Sequence, residues 1–156
     1  MHHPATSTTA NGKPRARLLV VDDEQLIREL YARVLSMEGY EVETAEDGIE
    51  GLEWLAKERF DVVVMNRQMP RLDGATMVAA LRTAGSRIPV VMISGSLAFR
   101  PLPVRVAGEL SATLMKPARH DEVIAAVAEA LRPASSRRVP RRESLEEFRR
   151  AESVAA

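Results

Sequence analysis

Leu18-Leu19-Val20-Val21-Asp22-Asp23 opens with four apolar residues and stops on two carboxylates. A half-buried strand alternates apolar and polar side chains. A run without alternation has apolar groups on both faces and needs cover on both. Val62-Val63-Val64-Met65 and Val90-Val91-Met92-Ile93 are runs of the same kind, ending at Asn66 and Ser94. Strands covered on both faces imply a parallel sheet flanked by helices.

The segments between these runs carry the helical period. Leu26/Ile27, Leu30/Tyr31 and Val34/Leu35 recur at helical spacing and stop at Gly39, which reads as a C-cap. Ile49, Leu52 and Leu55/Ala56 mark a second helix, Met77/Val78 and Leu81 a third, and Val123/Ile124, Val127 and Leu131 a last one. Weaker strands fit Glu41–Thr44 and Ser111–Met115. The order predicts a doubly wound α/β domain over residues 17–132 with a five-stranded parallel sheet. Its fourth crossover, around 96–109, is predicted to be irregular, because Pro101 and Pro103 interrupt any helix there.

The chain has 156 residues and a formal net charge of zero. That balance hides an acidic centre: residues 18–131 carry 12 Lys/Arg and 18 Asp/Glu, whereas the first 17 residues and the last 25 each carry a net +3. Residues 1–16 are small and polar and read as a flexible arm. Residues 133–156 read as a basic linker followed by a short amphipathic helix, with a capping-box pattern at Ser144-Leu145-Glu146-Glu147. With no cysteine, disulfides, thiolate metal sites and thiol nucleophiles are excluded, and three histidines make a His-rich metal site a poor reading. No apolar stretch approaches the roughly 18–20 residues of a membrane span, and the start lacks a signal-peptide layout, so a cytoplasmic location is expected.

In doubly wound sheets, ligands bind outside the carboxyl ends of the strands. Here those ends carry Asp22-Asp23, Asn66, Ser94 and Lys116-Pro117, and they are expected to converge on one rim. Two carboxylates, a hydroxyl and an ammonium suit a divalent cation together with a phosphoryl group, with Glu24 adding charge at the edge. The rim has no base placed to activate the hydroxyl or the ammonium, so the chain does not read as an enzyme.

As a set, Val20-Val21-Asp22-Asp23-Glu24, Met65-Asn66-Arg67-Gln68-Met69-Pro70-Arg71-Leu72-Asp73-Gly74, Ile93-Ser94 and Met115-Lys116-Pro117 resemble the receiver domain of bacterial two-component response regulators. The resemblance covers about residues 18–131 and implies a flavodoxin-like receiver fold. It also implies that Asp22, Asp23 and the main-chain carbonyl of Gln68 hold Mg2+, and that Ser94 and Lys116 contact the phosphoryl group. By the same analogy the partner is a sensor histidine kinase or another signalling protein, and a homodimer is a further option.

Two positions depart from the family pattern. The phosphate-accepting aspartate is replaced by Asn66, and an amide is a far poorer oxygen nucleophile than a carboxylate. Direct phosphorylation at residue 66 is therefore expected to fail, and Mg2+ to bind more weakly with one carboxylate fewer. Asn66 fits a natural receiver that signals without phosphorylation, and equally an aspartate-to-asparagine replacement that blocks it. At the switch position, where the family usually has an aromatic residue, the chain has Thr113. The alternative reading is a nucleic-acid-binding regulator that uses the basic C-terminal tail. It is disfavoured because no recognition helix or aromatic platform accompanies the arginines.

Overall fold

The computed structural model describes residues 12–95 and 109–133. Five strands alternate with helices: β1 Arg17–Val21, α1 Gln25–Met37, β2 Glu41–Ala45, α2 Gly48–Lys57, β3 Val62–Asn66, α3 Gly74–Thr83, β4 Val90–Ser94, β5 Ala112–Met115 and α4 His120–Ala130. All strand pairs are parallel, in the order β2-β1-β3-β4-β5, so the doubly wound fold expected from the apolar runs is the one observed. The fourth crossover and the C-terminal helix expected from the sequence lie outside the described residues, as does the basic tail on which the nucleic-acid reading rests.

Each side of the sheet has its own core, and period-two alternation decides which residues enter which. Leu18, Val20, Val62, Val64, Val91 and Ile93 face α1 and α4, packing with Tyr31, Leu35, Val123 and Val127. Leu19, Val21, Val63, Met65, Val90 and Met92 face α3, packing with Met77, Val78 and Leu81, and Leu52 and Leu55 of α2 pack against the same cluster.

The helices stop and start where local chemistry dictates. Gly39, at φ +93, follows α1 in the left-handed region; its N–H donates to the Ser36 carbonyl and the Tyr40 N–H to the Leu35 carbonyl. These are the two bonds of a Schellman cap, completed by buried Tyr40 and Leu35, as the stop signal at Gly39 requires. The carboxylates of Asp47 and Asp73 cap α2 and α3 by accepting from the N–H groups of Glu50 and Thr76.

Gly74 begins α3 where the helix turns back against the end of β3. Its N–H donates to the Arg67 carbonyl at 2.7 Å, and a Cβ added there would lie 2.8 Å from the Asn66 carbonyl oxygen. Both are backbone contacts that a side-chain rotation cannot relieve. Replacing Gly by Ala in a helix gains about 1 kcal/mol at most, whereas overpacking costs about 1–3 kcal/mol. Gly74→Ala is therefore expected to destabilise the domain, and urea unfolding of the two proteins measures it; a variant as stable as the parent would show that the loop after β3 yields freely.

Candidate functional site

The register sets which residues share a level. Val21 pairs with Met65, Met65 with Met92, Asn66 with Ile93, and Ser94 with Met115. The first residue past β1, Asp22, therefore stands beside Asn66, with Ser94 and Lys116 one and two residues further along the neighbouring strands. The rim predicted from the strand ends is assembled.

Asp22 and Asn66 lie deep in it, at 1% and 6% relative exposure. Asp22 accepts the Glu24 N–H at 2.9 Å, and its second carboxylate oxygen is 3.8 Å from Lys116 Nζ. The same ammonium is 3.9 Å from Glu24 Oε1, so Glu24 does add charge at the edge. Lys116 is positioned by its own N–H, which donates to the Ser94 carbonyl at 2.7 Å, ahead of a cis Lys116-Pro117 bond. Among the described residues, Ser94 Oγ makes one long contact, 3.5 Å, with the Gly95 carbonyl. Thr113 is exposed on β5, level with Met92 and so below the rim.

The Asn66 amide nitrogen donates to Asp23 Oδ1 at 3.0 Å and to the Gln68 carbonyl oxygen at 2.8 Å. Asp23 and Gln68 also line an open cleft of about 430 Å3 with Met69, Pro70 and Asp73. Of the groups that the resemblance assigns to Mg2+, Asp23 and the Gln68 carbonyl are thus brought together, yet as they stand the place between them is taken by an amide nitrogen and not left to a divalent cation. One N–H takes a lone pair of Asp23 Oδ1 and the other a lone pair of the Gln68 carbonyl, in the directions that a cation bridging the two would use. Among the described residues, no three or more His, Cys, Asp or Glu side chains gather as a metal-ligand group.

One feature of the rim has little sequence signal. Arg71, at φ +67, reaches from the loop after β3 to form an ion pair with the buried carboxylate of Asp47. The pair ties that loop to the start of α2. Asp47 is held below the ordinary aspartate value chiefly by the Glu50 N–H, with Arg71 adding to it against the opposing effect of burial. The helical period that marks α2 does not single out Asp47 as its cap, and a left-handed arginine reaching for that cap has no sequence signal.

Asp22 is shifted the other way. Burial raises its pKa foremost and the neighbouring Asp23 and Glu24 add to the rise, outweighing the Glu24 N–H and the Lys116 ammonium. The folded state therefore holds a proton on Asp22 more tightly than the unfolded chain does, so ionised Asp22 costs stability at neutral pH. Asp22→Asn is expected to raise the melting temperature at pH 7, on the order of 3 °C. The gap should close as pH falls through the raised pKa, where the parent takes up its proton, and thermal melts across pH check both.

Comparison with known proteins agrees with the fold. Residues 18–128 match the model of the response regulator receiver domain. The response regulator MprA of Mycobacterium ulcerans is 38% identical over 142 residues, which cover 89% of this chain and 56% of that protein. MprA of Mycobacterium leprae is 39% identical over 119 residues, covering 74% and 51%. This chain thus spans about half the length of the curated relatives it matches. Among solved structures, the receiver domain of the Francisella response regulator 1452 superposes with a TM-score of 0.69 at 27% identity, covering 75% of this chain and 97% of that one. The chemotaxis response regulator CheY4 of Vibrio cholerae does so with a TM-score of 0.65 at 32% identity, covering 74% and 98%.

Proposed function

The chain belongs to the family of response regulator receiver domains, and from that premise we propose that it serves two-component signalling as a receiver that is not phosphorylated at residue 66 and works through protein contacts. The observation that carries this reading is the state of Asn66. At the end of β3, where the family's nucleophile stands, the side chain is a neutral amide whose nitrogen is already bonded to Asp23 and Gln68. A carboxylate oxygen attacks phosphorus and leaves an acyl phosphate; an amide has no comparable lone pair to spend.

The rest of the rim supports an inherited receiver site. Asp22, Asp23, Ser94 and Lys116 stand at the strand ends where the family pattern places them, and we assign Ser94 and Lys116 the role of phosphoryl contacts should residue 66 regain a carboxylate. Thr113 offers no aromatic ring to turn inward, so the family's usual aromatic switch does not operate here.

A protein partner has an exposed apolar surface to meet. On α1, Leu26 and Met37 are 81% and 67% exposed, and Leu30, on the same side of the helix, is also exposed. A stripe of this kind suits a helical face of a sensor histidine kinase or another signalling protein. No helix among the described residues is long and apolar enough to cross a membrane. We place the action of this receiver in the cytoplasm with the kinases that family members meet.

The test is labelling with radioactive acetyl phosphate. The parent chain is expected to take up no stable phosphoryl group, and Asn66→Asp to take up one per chain, because the other rim residues are in place. Label on any aspartate of the parent rim would overturn the reading. An unlabelled Asn66→Asp would show that the site departs from a working receiver beyond residue 66.

A further inference from the structure

Two stretches 43 residues apart in sequence meet at a single nitrogen. Asp23 belongs to the turn between β1 and α1, Gln68 to the loop between β3 and α3, and Asn66 to the end of β3. Both amide protons of Asn66 are used, one on a carboxylate oxygen and one on a carbonyl oxygen, at 3.0 and 2.8 Å. The chemistry fixes which end of the amide points there. Turned over, its own oxygen would face two oxygens with no proton between them.

A divalent cation between the same two oxygens would do the same mechanical task, joining the turn to the loop by attracting both. The amide does it with two partial positive charges that are already attached to β3. It requires no stripping of water from a strongly hydrated ion. For a cation to enter, the amide must swing away and break both hydrogen bonds, one of them charge-assisted and of the stronger kind.

From this geometry we infer that the Asn66 carboxamide is a tethered replacement for the cation, which joins Asp23 to Gln68 and holds the rim in one arrangement whether or not divalent metal is present. The inference concerns the resting rim and stands apart from what the receiver signals to. It also differs from a simple deficit of negative charge. If the missing carboxylate alone weakens metal binding, any neutral residue at 66 weakens it alike. If the amide competes for the oxygens, removing it improves binding.

Asn66→Ala separates the two. Parent, Asn66→Ala and Asn66→Asp chains are titrated calorimetrically with MgCl2 alone at pH 7, and melted in EDTA and in MgCl2. The parent is expected to melt at the same temperature in both. Asn66→Ala is expected to bind Mg2+ at least on the order of tenfold more tightly than the parent, because the two amide hydrogen bonds no longer have to be broken. Asn66→Asp, which sets a third carboxylate against Asp23 and the Gln68 carbonyl, is expected to melt lower than the parent in EDTA and to recover with Mg2+. The inference fails if the parent binds Mg2+ as tightly as Asn66→Ala or more so, because the amide oxygen would then be serving as a ligand. It fails also if metal raises the parent's melting temperature as much as that of Asn66→Asp, or if Asn66→Asp itself takes up no Mg2+. Should Asn66→Ala not fold, the melts of the parent and Asn66→Asp decide the matter. Because the readouts are metal binding and melting, they succeed or fail independently of phosphoryl labelling.

Discussion

Apolar side chains on both faces of β1, β3 and β4 leave the sheet no room for a polar group except at the strand ends. Val62 to Met65 are all buried, as are Leu18 to Val21 and Val90 to Ile93. A charge within any of these runs would have to lose its water without gaining a partner. The first polar residue after each run is therefore pushed to the rim, and parallel pairing sends every run to the same rim. Asp22, Asn66 and Ser94 meet for this reason, before any chemistry is considered.

The rim then has to solve an electrostatic problem of its own making. Asp22 is buried beside Asp23 and Glu24, with Lys116 nearly 4 Å away. A single ammonium at that distance does not neutralise three carboxylates, and the pKa of Asp22 is raised by burial first and by Asp23 and Glu24 after it. Two further devices share the load. The Glu24 N–H binds Asp22, and the Asn66 amide binds Asp23. The Arg71–Asp47 pair stands outside this cluster and acts on the loop, holding the segment that carries Gln68 against the start of α2.

Most of the fold is legible in the sequence because it rests on burial. Unbroken apolar runs announce β1, β3 and β4, and Gly39 announces the end of α1 through backbone geometry. The weaker strands β2 and β5 are at the sheet edges, where Glu41 and Thr113 meet solvent and dilute the apolar signal. The membership of the rim is legible for the same reason, since strand ends are what the runs define. Orientation is not. That the Asn66 nitrogen turns to Asp23 and Gln68 depends on how the loop after β3 folds back, which depends in turn on Gly74 seating against the Asn66 carbonyl and on Arg71 adopting a left-handed backbone. Arginine carries no sequence signal for that conformation, whereas glycine would have.

Asparagine and aspartate differ at one terminal atom, and in this rim that atom changes sign as a hydrogen-bonding group. An aspartate oxygen at the place of Nδ2 would be an acceptor 3.0 Å from one acceptor and 2.8 Å from another, stable only with a cation or a proton between them. An amide nitrogen there is a donor to both. On the proposed reading, asparagine in place of the family's nucleophile also supplies the counter-charge that an aspartate there would require from outside. A receiver with aspartate at 66 needs a cation to reconcile its carboxylates; with asparagine, the reconciliation is part of the covalent chain. Loss of phosphorylation chemistry and independence from metal are on this account a single event, both following from the exchange of one oxygen for one nitrogen at the end of β3.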